Sequence, residues 1–302
     1  MKKIKKIIVI VGPTATGKTD LAVRLAEKLN TYIISGDSMQ IYRYFKIGTA
    51  QPDLSAIDVP YYLVNQIEPT ERFSVYDFKQ AANEIIDHNS TIPIIAGGTG
   101  LYINSFLRNY SLGELEEKQY QDFLMSNENL NLTDLINWLQ EIDPTATPYV
   151  DLANKRRVLR AIAIKKLTGR SIVDQKESEV EFDPYIIGLN TARNVLYERI
   201  EKRVDQMMEQ GIVYEAEDVY IHQEDYPLLT KAIAYKEFFP YFAKNCELSA
   251  SVALLKQKSR NYAKRQLTWF RNKMQVNWYD LSEPDFITQI EHDVMQWLAF
   301  LD

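Results

Sequence analysis

A glycine-rich loop between an apolar run and an amphipathic helix is the feature that most limits what this chain can fold into. The loop reads GPTATGKT and follows the β-branched run Ile7–Val11. In that context the pattern G-x-x-x-x-G-K-[S/T] predicts a phosphate-binding loop, because its glycines let consecutive backbone N–H groups point inward where a helix begins. An ordinary glycine turn is the alternative. The predicted phosphate-binding residues are Gly12, Pro13, Thr14, Ala15, Thr16, Gly17, Lys18 and Thr19.

Two side chains of this loop have specific predicted roles. The Lys18 ammonium would supply a full positive charge, and the Thr19 hydroxyl would hold Mg²⁺. The loop is typical of ATP-binding and other nucleotide-binding proteins, so the sequence indicates a ligand with a di- or triphosphate. The loop by itself does not distinguish breaking a bond between two phosphates from breaking a bond between carbon and phosphate oxygen.

Short apolar runs alternate with helical patterns, which predicts an α/β fold with a parallel, doubly wound sheet. The predicted strands are Ile7–Val11, Thr31–Ser35, Tyr61–Val64, Ile92–Ala96 and Tyr185–Leu189. A helix is predicted over about Lys18–Leu29, with Leu21, Leu25 and Leu29 facing the core. A second helix begins at Ser74, where SVYD predicts a capping box with Asp77.

The strand signals stop for a long stretch in the middle of the chain. We therefore predict a P-loop catalytic core formed by residues 1–109 and 184–302, and a helical insertion domain at residues 110–183. Beyond Thr191 only helices are predicted.

Composition excludes several classes of protein. The chain has 302 residues, of which 46% are hydrophobic and 25% are charged, which fits one large core with a smaller lobe. One cysteine and three histidines exclude an internal disulfide and a spaced Cys/His zinc site. The first apolar run is too short for a secretory signal and no later run suits a membrane span, so we expect a cytoplasmic protein with no membrane partner.

Polar residues follow two further predicted strands. Asp37, Ser38 and Gln40 follow the second strand, and Thr99 lies in the glycine-rich AGGTGLY after the fourth. Because the carboxyl ends of parallel strands meet at one edge of a sheet, we expect these residues to share one cleft with the phosphate loop. A carboxylate there could hold Mg²⁺ through water or accept a proton from a nucleophile. The alternatives are that Asp37 only caps the following turn and that AGGTG is a flexible turn.

Positive charge is concentrated in two stretches, although the net charge is −6. The segment Lys256–Lys273 has seven Lys/Arg residues and no acid. On a helix, one face would carry Lys256, Arg260, Lys264 and Arg271, and another would anchor the helix in the core with Leu255, Tyr262 and Trp269. The second stretch is Asn154–Arg160. A solvated basic surface is the default explanation, and an RNA-binding surface is the alternative.

Seven stretches resemble, in order, the signature motifs of the bacterial tRNA dimethylallyltransferase (tRNA isopentenyltransferase) family. They are GPTATGKT, SGDSMQIYRYFKIGTAQP, AGGTGLYI, NKRRVLRAI, LYERIEKRVDQMMEQG, KAIAYKE and YAKRQLTWFRNK. The resemblance implies a P-loop kinase-like core with a helical insertion. The implied reaction moves a dimethylallyl group from dimethylallyl diphosphate to N6 of the adenosine 3′-adjacent to the anticodon (tRNA position 37), in tRNAs that read codons beginning with U. Diphosphate is released and Mg²⁺ is required.

The resemblance also assigns roles to residues. Asp37 would be the general base, Thr99 would help to hold the substrate, and Arg203 would stabilise the charge on the leaving diphosphate. For Arg203 and its neighbour Arg199, the alternative is a surface helix paired with Glu198 and Glu201. The residues implied to bind the tRNA anticodon stem-loop are Asp37, Ser38, Met39, Gln40, Thr99, Arg156, Arg157, Arg160, Lys264 and Arg265. A monomer is expected.

The chain departs from the family pattern in three places. Gln51 stands where the family usually has lysine, and Ala234 stands where it usually has glycine. The insertion also lacks an arginine expected around residues 118–123. We predict that the first two departures are tolerated and that the third changes how the insertion contacts tRNA.

Three other functions compete with this reading. A small-molecule kinase would use the same loop with ATP, and a related prenyltransferase would act on free adenine nucleotides. A non-catalytic RNA-binding protein would keep the loop without using it. The basic helix and the insertion favour the tRNA enzyme, since a mononucleotide substrate needs neither.

Overall fold

The computed structural model describes residues 4–108, 117–174 and 181–300. The chain divides into two compact units, Met1–Leu107 with Glu181–Asp302 and Arg108–Val180. The predicted first boundary, residue 110, lies outside the described residues. The predicted second boundary, residue 183, falls inside a strand that begins at Phe182.

The described residues contain strands and helices in alternation. The strands are β1 (Lys5–Val11), β2 (Ile33–Ser35), β3 (Tyr61–Tyr62), β4 (Ile94–Ala96), β5 (Phe182–Asn190) and β6 (Asn277–Asp280). The α-helices are α1 (Lys18–Leu29), α2 (Val75–Asp87), α3 (Gly100–Leu107), α4 (Glu117–Asn127), α5 (Leu132–Ile142), α6 (Lys155–Thr168), α7 (Arg193–Gln210), α8 (Ile212–Ile221), α9 (Phe239–Phe242), α10 (Leu248–Lys273) and α11 (Phe286–Ala299).

The strands form a parallel sheet in the order β3-β2-β4-β1-β5-β6, which confirms the predicted α/β class. The central strand β1 pairs with β4 and β5. Its alternate side chains enter two different cores, with Val9 on one face of the sheet and Ile8 and Ile10 on the other. Both faces are covered, which is why β1 is an uninterrupted apolar run.

The C-terminal part of the chain corrects the prediction that only helices follow Thr191. Strand β6 pairs with β5, with Trp278 opposite Gly188. A Cβ on Gly188 would lie within 3 Å of the Trp278 ring, so this glycine makes room for the indole. The four residues NWYD give no periodic signal of their own, and the neighbouring strand supplies the hydrogen bonds that make them a strand.

Two helix starts follow the sequence closely. Helix α1 has the predicted bounds, with Leu21 and Leu25 buried. Helix α2 begins with the predicted capping box: the Ser74 hydroxyl accepts from the Asp77 N–H, and the Asp77 carboxylate accepts from the Ser74 N–H at 2.8 Å. Each bond satisfies a backbone N–H that the helix itself leaves free.

Strand β3 is shorter than predicted because the chain turns directly after it. Leu63 has a φ of 60°, which is incompatible with an extended strand. The same segment turns again at Asn65, with a φ of 55°.

Helices α7 and α10 pack together beside the phosphate loop. Ala263 of α10 is buried against Leu196 and Ile200 of α7, and Ala15 of the loop contacts the same cluster. This packing brings one face of α10 to the carboxyl edge of the sheet.

The smaller unit is helical over its described residues, as predicted. Leu135 and Leu139 of α5 are buried against Val158 and Ile162 of α6. Asn154 caps α6 by accepting from the Arg157 N–H. Whether this unit contacts tRNA stays a prediction.

Candidate active site

The segment Gly12–Thr19 connects β1 to α1 as a tight loop. Gly12, Ala15 and Gly17 have φ values of 149°, 64° and 76°. A Cβ on Gly12 would lie 2.6 Å from the carbonyl oxygen of Leu189, so no side chain fits there. The loop leads directly into the N-terminus of α1, where free N–H groups and the helix dipole favour an anion.

Lys18 lies at the floor of this loop, where its ammonium group donates to the Pro13 carbonyl oxygen at 2.7 Å. Burial, followed by the nearby Arg203 guanidinium, lowers the pKa of Lys18, and the Asp37 carboxylate acts in the opposite direction; the net pKa is about 8. A cation held in such surroundings gains strongly from a bound anion.

Arg203 reaches the phosphate loop from α7. Its Nη1 donates to the Thr14 hydroxyl at 3.0 Å. Burial lowers its pKa and Asp37 raises it. The alternative, a surface helix paired with Glu198 and Glu201, is wrong for this residue, since Arg203 is bonded to Thr14, and Glu201 is bonded instead to Arg260 of α10 at 2.6 Å.

Asp37 follows β2 and faces the same cleft. Its Oδ1 accepts from the Met39 N–H at 3.0 Å, so the residue also caps the turn, as the alternative interpretation held. Burial raises its pKa, while that N–H, Lys18 and Arg203 lower it. The Asp37 carboxylate, the Lys18 ammonium of the phosphate loop and the Arg203 guanidinium of α7 thus share one cleft, as expected for Asp37 and the loop from the convergence of the strand ends.

Thr99 ties the ends of β2 and β4 together. Its hydroxyl accepts from the Ser38 N–H at 3.0 Å and donates to the Ser38 hydroxyl at 3.3 Å. The two strand ends touch directly, since a Cβ on Gly97 would lie 2.3 Å from the Gly36 backbone. AGGTG is therefore a close-packed junction, not a flexible turn.

Gln40 is already bonded inside its own loop. Its Oε1 accepts from the Ser35 hydroxyl at 2.9 Å, and its Nε2 donates to the Ala50 carbonyl oxygen at 3.0 Å. The same Nε2 also donates to the Thr49 carbonyl oxygen at 3.5 Å, so one lone pair of Oε1 remains for a ligand. Ser38 and Met39, like Gln40, line the cleft.

A cleft of about 900 Å³ opens over these groups. Among the predicted residues it is lined by Thr14, Ala15, Thr16, Gly17, Lys18, Thr19, Asp37, Ser38, Met39, Gln40, Arg203 and Arg265. Its apolar wall includes Ile200 and Val204 of α7, which suits a ligand that carries both phosphate and hydrocarbon.

Two cleft residues of α10, Tyr262 and Gln266, were missed by sequence reasoning. Gln266 is 6% exposed, accepts from the Thr14 N–H and donates to the Gly98 carbonyl oxygen, each at 3.0 Å. Tyr262 was predicted to anchor the helix in the core, but it lines the cleft. Their spacing of four residues places both on one helix face, and an uncharged glutamine in a basic run was the available signal.

The positive residues of α10 fall into two groups, which corrects the prediction of one basic face. Lys256 and Arg260 are bonded to Asp205 and Glu201 of α7, each at 2.6 Å. Lys264 and Arg265 are exposed. The first pair attaches α10 to α7, and the second pair is exposed, with Arg265 also lining the cleft.

The smaller unit holds the other predicted tRNA contacts, all on α6. Arg156 is exposed, and Arg157 is bonded to Asp151 at 3.0 Å. Arg160 lies over the Tyr120 ring, 5.9 Å from its centre.

Two departures from the family pattern have different structural consequences. Gln51 donates to the Tyr42 carbonyl oxygen at 2.6 Å, so it is well accommodated. Ala234 is buried at a φ of 89°, in the region that favours glycine. The third departure is the lack of an arginine at residues 118–123. Some side chains of that stretch lie outside the described set.

The described residues contain no cluster of three or more His, Cys, Asp or Glu side chains that could hold a metal ion. The Thr19 hydroxyl, the predicted Mg²⁺ ligand, interacts with the Tyr61 hydroxyl at the cleft.

None of the described helices combines the length and hydropathy of a membrane span.

The chain is similar to known proteins along nearly its whole length. The profile of the family described as IPP transferase matches residues 40–273, and that of isopentenyl transferase matches residues 5–61. A tRNA dimethylallyltransferase of Latilactobacillus sakei is 44% identical over 99% of this chain and 99% of its own length. Another, of Enterococcus faecalis, is 42% identical over 98% of each.

Solved structures of similar proteins also match nearly the whole chain. A tRNA isopentenylpyrophosphate transferase of Staphylococcus epidermidis has a TM-score of 0.70 and 38% identity, covering 97% of this chain and 99% of that one. A eukaryotic dimethylallyltransferase acting on tRNA has a TM-score of 0.81 at 28% identity, covering 97% of this chain and 80% of that one.

Proposed function

The chain belongs to the IPP transferase family, and we propose that it transfers a dimethylallyl group from dimethylallyl diphosphate to N6 of the adenosine directly 3′ of the tRNA anticodon. The proposed substrates are tRNAs that read codons beginning with U. The observation that carries the proposal is that Lys18, Asp37 and Arg203 line one cleft, with Arg203 bonded to Thr14 of the phosphate loop. We expect the protein to act as a monomer.

The donor diphosphate is placed on the phosphate loop. Backbone N–H groups at the start of α1, Lys18 and Arg203 surround it with positive charge. During transfer the bond between the allylic carbon and the bridging oxygen breaks, and its electron pair stays with the diphosphate. Negative charge therefore grows on that oxygen, and cations already in place stabilise it without reorganising.

In the proposed reaction, Asp37 accepts the proton. The adenine N6 forms a bond to the allylic carbon and loses one proton, which the Asp37 carboxylate takes. Burial raises the pKa of Asp37, and a more basic carboxylate is a better proton acceptor as long as it is ionised at working pH. Thr99 holds the Ser38 loop beside it.

We propose that the Thr19 hydroxyl would hold Mg²⁺ together with oxygens of the donor diphosphate. Mg²⁺ binds oxygen ligands, keeps several waters and is often carried by substrate phosphates. The small set of oxygen donors at the cleft fits such an ion. When bound, it would neutralise part of the charge on the leaving diphosphate.

The tRNA is expected to approach along the outer surface of α10. Lys264 and Arg265 are exposed there, and Arg265 also lines the cleft. An adenine that reaches Asp37 has to leave its stack, and anticodon loops present unpaired bases that can do so.

Transfer of labelled dimethylallyl tests this function. We expect label in tRNA only when donor, Mg²⁺ and tRNA are all present, and none when the target adenosine is replaced by guanosine. Asp37→Asn should lower kcat by about 10²–10⁴. Asp58→Asn, at an exposed aspartate away from the cleft, is the matched control and should stay near wild type.

Two results would contradict the proposal. Undiminished transfer by Asp37→Asn would remove the assigned base. ATP turnover without RNA, together with no transfer of label, would favour the kinase alternative.

A further inference from the structure

Gln266 of α10 is bonded to two different loops of the cleft. Its Oε1 accepts from the backbone N–H of Thr14 at 3.0 Å, and its Nε2 donates to the carbonyl oxygen of Gly98 at 3.0 Å. The side chain is 6% exposed, so water does not compete freely for either bond. One amide thus joins the phosphate loop to the loop that follows β4.

Thr14 also connects Gln266 to a proposed catalytic cation. Its hydroxyl accepts from the Arg203 guanidinium at 3.0 Å. The backbone of Thr14 is therefore held by α10 while its side chain holds α7. A shift of Thr14 would move the guanidinium that is proposed to stabilise the leaving diphosphate.

The loop after β4 is shaped to accept this amide. A Cβ on Gly98 would lie 2.3 Å from the Gln266 Nε2, so only glycine allows the contact. The same Cβ would lie 3.7 Å from the Asp37 Oδ2, so Asp37 is close to this junction. Gln266 thus sits between the group that would bind diphosphate and the group that would accept the proton.

Tyr262, one turn earlier, faces the same junction. Burial raises its pKa and the charge of Asp37 raises it further, while hydrogen bonding to Gln266 and Thr99 acts in the opposite direction. One face of α10 therefore contacts the loops after β1 and β4, and it lies close enough to Asp37, after β2, for the carboxylate to act on the Tyr262 hydroxyl.

We propose that Gln266 is a positioning residue that fixes the phosphate loop relative to the Gly98 loop, and thereby sets the distance between bound diphosphate and Asp37. This inference rests on the proposed function. Gln266 contacts neither reacting atom in this role. It acts through Thr14 and Gly98, so its loss should affect donor binding and transfer but not tRNA binding.

Gln266→Leu tests the proposal with little change in side-chain volume. The substitution leaves the Thr14 N–H and the Gly98 carbonyl without partners. A misplacement of about 1 Å lowers rates by about 10², so we expect kcat/KM for the donor to fall by about 10–100-fold. KM for tRNA should change by less than about twofold, since no tRNA contact is removed.

Gln257→Leu is the matched control, because it makes the same change at an exposed glutamine of the same helix. Its kcat/KM for the donor and its KM for tRNA should equal those of the wild type. Equal donor kinetics for Gln266→Leu and Gln257→Leu would overturn the inference. So would a parallel loss of donor binding, tRNA binding and thermal stability, which would mark Gln266 as merely structural.

Gln266→Glu gives a second readout that folding alone would not produce. Its carboxylate can accept from Thr14, but only the protonated form can donate to Gly98. Its rate relative to wild type should therefore rise as pH falls, while the relative rate of Gln266→Leu stays flat. The other titratable groups that face this junction, Lys18, Asp37, Arg203 and Tyr262, are also present in Gln266→Leu, so the comparison of the two ratios isolates the new carboxyl group. A flat ratio for Gln266→Glu would contradict the donor role.

Binding of inorganic pyrophosphate separates this inference from the proposed function. Measured by calorimetry, its affinity should fall about tenfold in Gln266→Leu whether or not transfer to tRNA occurs. Absence of transfer by the wild-type protein would refute the proposed function alone. Equal pyrophosphate affinity in wild type and Gln266→Leu would refute the positioning role alone.

Discussion

The cations of the cleft and the cations on the outer surface of α10 are the same residue types in opposite surroundings. Lys18 and Arg203 lie in the cleft near Asp37, and burial lowers the pKa of each. Lys264 and Arg265 are exposed to water. Charges removed from water interact strongly, and charges in water interact weakly and are screened by salt. The comparison predicts that cleft cations control chemistry and surface cations control capture of tRNA.

The largest effect is expected for Arg203→Ala. Loss of a preorganised group that stabilises a developing charge lowers kcat by about 10²–10³. Arg193→Ala, on the same helix, removes an exposed charge that does not line the cleft, and should lower kcat by less than about fivefold. Steady-state kinetics of the two variants, with labelled donor, measure the difference. Equal losses would break the distinction between buried and exposed arginines.

The pH profile sharpens the comparison at Lys18. Its pKa in the free protein is lowered to about 8, and only the ammonium form attracts the diphosphate. Since kcat/KM reports groups of the free enzyme, kcat/KM for the donor should fall about tenfold per unit as pH rises above about 8. On the acid side the rate falls as Asp37 takes a proton, and its raised pKa moves that limb upward. Initial rates across this range test both limbs, and a flat profile above pH 8 would contradict the assignment.

A smaller, salt-dependent effect is expected on the surface of α10. The double variant Lys264→Ala/Arg265→Ala should weaken tRNA binding and reduce the slope of log affinity against log salt by roughly one for each phosphate that is no longer neutralised. Lys256→Ala is the control, since its ammonium is already bonded to Asp205, and it should leave the slope unchanged. Filter binding at several salt concentrations measures the slopes. A shallower slope for Lys256→Ala alone would reverse the assignment of the two groups.

The smallest effect concerns the backbone of the cleft wall. Ala234 has a φ of 89°, whereas nearby Ala232 has a φ of −68°, and both are buried. Replacing either alanine by glycine removes one methyl group and raises the conformational entropy of the unfolded chain by the same amount. The difference between the two variants in free energy of unfolding therefore measures the backbone strain at Ala234. Ala234→Gly should be more stable than Ala232→Gly by about 1–2 kcal/mol. Denaturant unfolding compares them, and equal stability would show that Ala234 is unstrained.

Local sequence signals predicted much of the fold. The bounds of α1 and the capping box of α2 follow from patterns within a few residues. The central strand follows from a short apolar run that needs cover on both faces. Strand β6 could not be predicted in this way, because its four residues become a strand only by pairing with β5.

The same limit applies to the site. Asp37, Lys18 and Thr99 were predicted because each follows a strand, and strand ends converge on one edge of the sheet. Gln266 was not, because its partners Thr14 and Gly98 are distant in the chain. The pairing of Arg260 with Glu201 was missed for the same reason.

The fate of the bridging oxygen of the donor tests the central claim most directly. Dimethylallyl diphosphate labelled with ¹⁸O at the oxygen that joins carbon to phosphorus is incubated with the protein, tRNA and Mg²⁺. The masses of the products are then measured by mass spectrometry. If the cleft holds a diphosphate that departs as one unit while N6 attacks carbon, all of the label is found in the released diphosphate. Label retained on the prenyl group, with unlabelled diphosphate released, would contradict the account.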